Sequence, residues 1–218
     1  MNKRSAKGVM PMIGNIEQLN IVRLGAVLTY STLQEIGLHI MKAFGGIITD
    51  VQLSHHDTPV TQSIDAYLLT MVLEMEFGGH TLGITDADLK TQDDDAFYNT
   101  IIGGKNPSND VAVVSTRRLS PARIVSDSDY KLLIKRTLKV ALHEIGHNLG
   151  LTDHADFHYG PDGALCPMSK GETNRFGYQG YVRAVVDGRG LVFCDDCRYF
   201  LNTVHGSHPA VHTTPASN

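Results

Sequence analysis

Apolar positions along the chain switch between a two-residue and a three-to-four-residue period, and the switches lay out its elements. Residues 22–29 alternate apolar and polar side chains, as a half-buried strand does. Leu33, Ile36, Ile40, Met41 and Phe44 then recur three and four apart, which predicts a helix capped by Ser31 or Thr32 and stopped at Gly45-Gly46. Residues 47–53 form a second strand, so this strand–helix–strand unit predicts a parallel pair. A second helix over 63–77 would turn Ile64, Leu68, Met71, Val72 and Met75 inward, with the methionines as core filler. Strands are expected at 80–89, 97–102 and 111–115, with a possible short one at 9–13 and a turn over 103–109. The longest helix runs over 130–149, and its stripe Ile134, Leu138, Leu142, Ile145, Leu149 is spaced as a core-facing helix requires. After Gly150 regular signals fade. Short strands at 182–186 and 191–193 and a helix over 194–201 are expected there. These elements make an α/β (α+β) domain over 1–205: a mixed twisted sheet with a backing helix and a long helix in an N-terminal part, 1–150. A small irregular C-terminal part, 151–205, follows. Residues 206–218 read as a mobile polar tail, with His205, His208 and His212 outside any site.

Composition narrows the class. A chain of 218 residues with 42% hydrophobic content can build its core without disulfides. A net charge of −4 predicts no attraction to nucleic acid or anionic membrane. No apolar run is long enough to span a bilayer, and the basic start lacks the apolar stretch of a signal peptide. Three cysteines, Cys166, Cys194 and Cys197, fit a metal site in a reducing cytoplasm better than a disulfide framework. The expectation is a cytoplasmic monomer.

The chemistry concentrates in one run, His143-Glu144-Ile145-Gly146-His147-Asn148-Leu149-Gly150-Leu151-Thr152-Asp153-His154. Histidines four apart share one helix face and can close on a single zinc ion. Both lie off the apolar stripe, so core packing does not account for them. Glu144, beside the first histidine, can take a proton from a zinc-bound water. Gly150 can adopt positive φ and turn the chain back, returning Asp153 or His154 as third ligand. His55, His56 and Asp57 sit at a strand end near Pro59 and read as a solvated loop. Asp86, Asp88 and the aspartates at 93–95 lack the glycine and glutamate of a calcium loop.

With these residues in view, the chain resembles the metzincin metalloproteases, and among them the archaemetzincins, over roughly residues 20–200. Their pattern runs H-E-x-x-H-x-x-G-x-x-H-C, then C-x-M, then C-x-x-C. His143, Glu144, His147 and Gly150 match it, as do Cys166-Pro167-Met168 and Cys194-Asp195-Asp196-Cys197. The runs 82–89 and 111–119 also resemble that family. Asp153 stands at the third histidine and His154 at the first structural cysteine. The segments before Cys166 and Cys194 are longer than the family's. The run from Gly150 to His154 also resembles the snapalysins, which use aspartate as third ligand.

The resemblance implies a zinc metallopeptidase with two zinc ions. His143, His147 and Asp153 would hold the catalytic ion, with His154 as the alternative third ligand. His154, Cys166, Cys194 and Cys197 would hold a structural one. Met168 would be the Met-turn methionine beneath the metal. A peptide substrate would pair along the strand 97–102, where Phe97, Asn99 and Ile101 are the candidates. Glu144 would act as general base on a peptide carbonyl. An anionic third ligand would leave the water less acidic than three histidines do. The rival readings are a zinc-stabilised binding or scaffold module without turnover, and a zinc hydrolase acting on a non-peptide bond.

Overall fold

The structure, a computed structural model, describes residues 18–25, 28–57, 63–91, 100–121, 123–170, 177 and 179–206. Its centre is a five-stranded sheet ordered β2-β1-β4-β8-β7. Four of these strands run parallel: β1 (Gln18–Leu24), β2 (Asp50–His55), β4 (Thr81–Thr85) and β8 (Val111–Ser115). The edge strand β7 (Gly103–Lys105) is antiparallel to β8. A small second sheet joins β3 (Ser63–Asp65), β5 (Asp88–Lys90) and β6 (Thr100–Ile101).

The central parallel strands β4 and β8 are buried on both faces, as crossover helices dictate, whereas the edge strand β2 is half-exposed. In β8 the two-residue repeat splits accordingly: Ala112 and Val114 join the main core, and Val111 and Val113 join the second. Helices α1 (Tyr30–Ala43) and α3 (Asp127–Asn148) supply Leu33, Ile36, Ile40, Leu138, Leu142 and Ile145 to the main core. Helix α2 (Ala66–Phe77) covers the other face with Leu69 and Leu73. Gly83 makes that contact possible, because a Cβ there would lie 2.6 Å from Leu73 Cδ1.

Several boundaries differ from the sequence reading. Strand β1 starts four residues earlier and stops at Gly25, whose φ of 100° leaves the extended region. Helix α1 is capped by Thr29, not Ser31 or Thr32. Helix α3 starts at Asp127, where Ser126 and Asp129 form a capping box. Residues 103–105 are a strand rather than a turn, and Val182–Val186 is a π-helical turn rather than a strand. The span 80–89 divides into β4 and β5.

The largest correction is the face of α2. Leu68, Met71, Val72 and Met75 point outward, Met75 with 86% of its surface exposed, while Ala66, Leu69, Thr70 and Leu73 are buried. This helix is apolar all round, so periodicity could not choose its inner face. The notch at Gly83 chooses it. The last helix, α4 (Asp195–His205), runs four residues beyond the expected end. His205 is therefore not part of a tail. It is buried, and its Nε2 lies 2.9 Å from the Leu149 carbonyl at the end of α3. His208 and His212 fall outside the described residues, as does the strand expected at 9–13. Among the described residues no helix is long and apolar enough to cross a membrane.

Candidate metal centre

The last turn of α3 carries His143, Glu144 and His147. Gly150, at φ 87°, then reverses the chain and returns Asp153 to the histidines. The three donor atoms form a triangle: His143 Nε2 to His147 Nε2 is 3.2 Å, and each Nε2 lies 3.4 Å from Asp153 Oδ1. Donors about 2.0–2.1 Å from a tetrahedral zinc sit about 3.3–3.4 Å apart, so the triangle has the size of one face of such a site. The imidazoles are oriented for it. His143 Nδ1 faces the Pro167 carbonyl and His147 Nδ1 the Leu151 carbonyl, both at 2.9 Å, so each Nδ1 donates and each Nε2 carries a lone pair. Asp153 Oδ1 is buried without a hydrogen-bond partner. Two lone pairs and a carboxylate oxygen so close together form a donor set suited to a cation.

Electrostatics favour a neutral His143, whereas at His147 the Asp153 and Leu151 contacts outweigh burial and raise the imidazole. Burial pushes His143 down to about 3, so it stays neutral as a ligand must. Burial would raise Asp153, but the His147 and Lys170 contacts outweigh it and hold the carboxyl well below the usual range. Glu144 lies beside the triangle and is fully enclosed, and burial draws it up to about 7. The backbone of β7 presses on it: a Cβ at Gly103 would meet Glu144 Oε1 at 2.7 Å.

Met168 is buried against the helix that carries these histidines. Its sulfur fits the notch at Gly146, where a Cβ would lie 2.5 Å from Sδ. The chain around it is held by His154 N–H donating to the Met168 carbonyl at 3.0 Å and by Arg189 donating to the Ser169 carbonyl at 2.8 and 3.1 Å.

A second cluster lies one residue on. His154 Nε2 is 3.3 Å from both Cys194 Sγ and Cys197 Sγ, and Cys166 Sγ is 3.9 Å from Cys197 Sγ. All four donor atoms fall within 4.8 Å of one another, and none of the cysteines is in a disulfide. Zinc–sulfur bonds of about 2.3 Å put tetrahedral thiolates about 3.8 Å apart, which these spacings fit. The contact with Cys197 draws Cys166 down to about 5, and the same contact, with burial, drives Cys197 strongly upward. One thiolate is thus favoured and further ones are opposed unless a cation neutralises them. The His158 ring stacks on His154 at 4.1 Å.

Comparison with known proteins places this geometry. Over 70 residues the chain is 40% identical to the archaemetzincin of Pyrococcus furiosus, covering 32% of this chain and 34% of the relative. It is 41% identical over 70 residues to that of Pyrococcus horikoshii, covering 32% and 35%. The matched stretch spans about a third of the length of these curated relatives. No family model matches the chain. The crystal structure of an archaemetzincin from Methanopyrus kandleri superposes with a TM-score of 0.64 at 22% identity, covering 87% of this chain and 95% of that one. An archaemetzincin from Archaeoglobus fulgidus, crystallised with malonate, gives 0.58 at 21%, covering 84% and 99%. The chain is thus similar to archaemetzincins in sequence over about a third of its length and in fold over most of it. Its mixed α/β fold with a mostly parallel sheet is the one those structures share.

Within this archaemetzincin-like fold the sequence-predicted residues sort cleanly. His143, Glu144, His147 and Asp153 come together, and so do His154, Cys166, Cys194 and Cys197. Phe97 and Asn99 lie outside the described residues. Ile101 belongs to β6, which pairs with β5 in the small sheet. The main-sheet edge against Glu144 is β7, Gly103–Lys105. Four contributors escaped the sequence reading. Gly103 abuts the carboxyl. Lys105 Nζ donates to the His147 carbonyl at 3.0 Å. Arg189 holds the turn at Met168. Lys170 Nζ lies 3.1 Å from Asp153 Oδ2. Only Gly103 left a signal, in the Gly103-Gly104 pair.

Proposed function

We propose that this chain is a zinc-dependent metallopeptidase. The carrying observation is the donor triangle of His143, His147 and Asp153 with buried Glu144 beside it. A structural site has no use for an enclosed free carboxyl next to an incomplete set of donors. When bound, zinc supplies a Lewis acid that acidifies water and polarises the peptide carbonyl. His143 and His147 present their Nε2 atoms to it, held by the Pro167 and Leu151 carbonyls. Asp153 presents Oδ1. Glu144 takes the proton of the attacking water and delivers it to the leaving amine. In the metal-free protein burial draws this carboxyl up to about 7. A substrate strand pairs along β7, which among the described residues is the edge of the main sheet and flanks Glu144. The second cluster holds a structural zinc on His154, Cys166, Cys194 and Cys197, giving two ions per chain.

The test is a pool of fluorogenic peptides offered to zinc-replete protein, with and without 1,10-phenanthroline, beside Glu144→Ala. Cleavage should vanish with the chelator. It should fall about 10²–10⁴-fold in the variant, with two zincs retained. Cleavage by Glu144→Ala at the parent rate would remove the mechanism. Zinc-replete parent protein that cleaves no peptide would leave the binding-module reading in its place.

A further inference from the structure

The two oxygens of Asp153 have separate partners. Oδ1 faces His143 and His147 at 3.4 Å and has no hydrogen bond, whereas Oδ2 meets Lys170 Nζ at 3.1 Å. Two neutral imidazoles, one carboxylate and a dication sum to one positive charge. An ammonium on the far side of the carboxylate restores the second. Glu144 is an acid. Arg189 adds positive charge felt at His143 and Glu144, but its hydrogen bonds go to the Ser169 carbonyl and the Tyr181 hydroxyl, whereas Lys170 pairs with Asp153 itself.

We infer that Lys170 is a positioning residue that offsets the charge of Asp153, so that the centre carries the electrostatic strength of an all-imidazole site. Its contact also turns Asp153 so that a single oxygen faces the histidines. Lys170 follows directly on the segment that Arg189 and His154 hold around Met168, so its main chain is anchored while its side chain reaches out over the rim. That side chain is 65% exposed, which makes it replaceable without disturbing the fold. An exposed ion pair that merely decorated the rim would contribute little to anything. This one ends on a carboxylate whose other oxygen completes the donor triangle, so its charge is relayed to the metal.

The inference rests on Asp153 as the third ligand but not on peptide cleavage. It is tested without substrate, on protein loaded with cobalt(II), by following the visible absorption with pH. Lys170→Arg should leave the midpoint of that titration in place. Lys170→Gln should raise it by about half to one pH unit, and Lys170→Glu by about twice as much, with metal content unchanged in all three. A shift that grows with each unit of lost charge marks charge compensation. An unmoved midpoint across the series, or equal shifts for Gln and Glu, would overturn it. Failure of the peptidase reading would instead appear as absent cleavage, with this titration intact.

Discussion

Asp153 and His154 are joined by one peptide bond, yet their side chains enter clusters of opposite character. Asp153 completes a triangle of nitrogen and oxygen donors that stops at three and has an enclosed carboxyl for a neighbour. His154 completes a set of four with three buried thiols, with the His158 ring stacked on it. Three donors would leave a bound metal one position open for chemistry, and four would close it. The difference in elements is as instructive. Two donors of the first set come from one helical turn, so α3 nearly builds it alone. The second gathers donors from three separate segments and so ties the irregular C-terminal part together, where regular hydrogen bonding is sparse.

The largest expected effect comes from opening the closed cluster. Cys194→Ala with Cys197→Ala should remove one zinc per chain and strip hydrogen-exchange protection from residues 154–206. The protection of β1, β4 and β8 should survive. Equal loss across the central sheet would show that the two regions fold as one unit and break the distinction. Next is Gly103→Ala, which puts a methyl 2.7 Å from Glu144 Oε1 and 2.9 Å from Val140 Cγ1. Overpacking of this kind costs about 1–3 kcal/mol. Displacement of the base should lower peptide turnover about tenfold or more, with zinc content unchanged. Parent-level turnover would detach β7 from the site.

A smaller effect reads the buried carboxyl directly. In metal-free protein Glu144 keeps its proton up to about 7, against 4.5 for the free group. Between those values the unfolded chain has released a proton that the folded chain retains. The contribution of Glu144 to stability is therefore complete below about 4.5 and is lost as pH rises through about 7. Urea unfolding in chelator should show this decline in the parent and a flatter profile in Glu144→Gln. His143 is present in both proteins and cancels in the difference. Identical profiles would mean that Glu144 is not enclosed. The smallest effect is Met168→Leu. A nearly volume-conserving change in a packing role should lower stability by less than about 1.5 kcal/mol and leave both metals bound. Loss of zinc from an intact fold would make the sulfur more than filler.

The two regions were not equally legible. His143, Glu144, His147 and Gly150 could be read as a site because helix geometry relates residues four apart without help from the rest of the fold. Cys194 and Cys197 could be paired for the same local reason. The outward face of α2 could not be read, because Tyr67, Leu68, Met71, Val72 and Met75 are as apolar as Leu69 and Leu73, and the deciding notch lies in β4. Strand β7 was missed because two glycines spell a turn. Only the approach of Glu144 and Val140 explains why a side chain at Gly103 would crowd the base.

The sequence by itself determined the strand–helix–strand start, the metal-binding turn of α3 and the chemical type of every donor. These depend on local periodicity, capping and side-chain chemistry, which travel with the residues. Only the tertiary structure decided that Asp153 and His154 part company toward two clusters, that β7 is the edge against Glu144, and that Lys170 and Arg189 attend the centre. Those relations join residues tens of positions apart or turn on how a loop is held. Their free energy resides in contacts that exist only once the sheet, α3 and the C-terminal segment have packed.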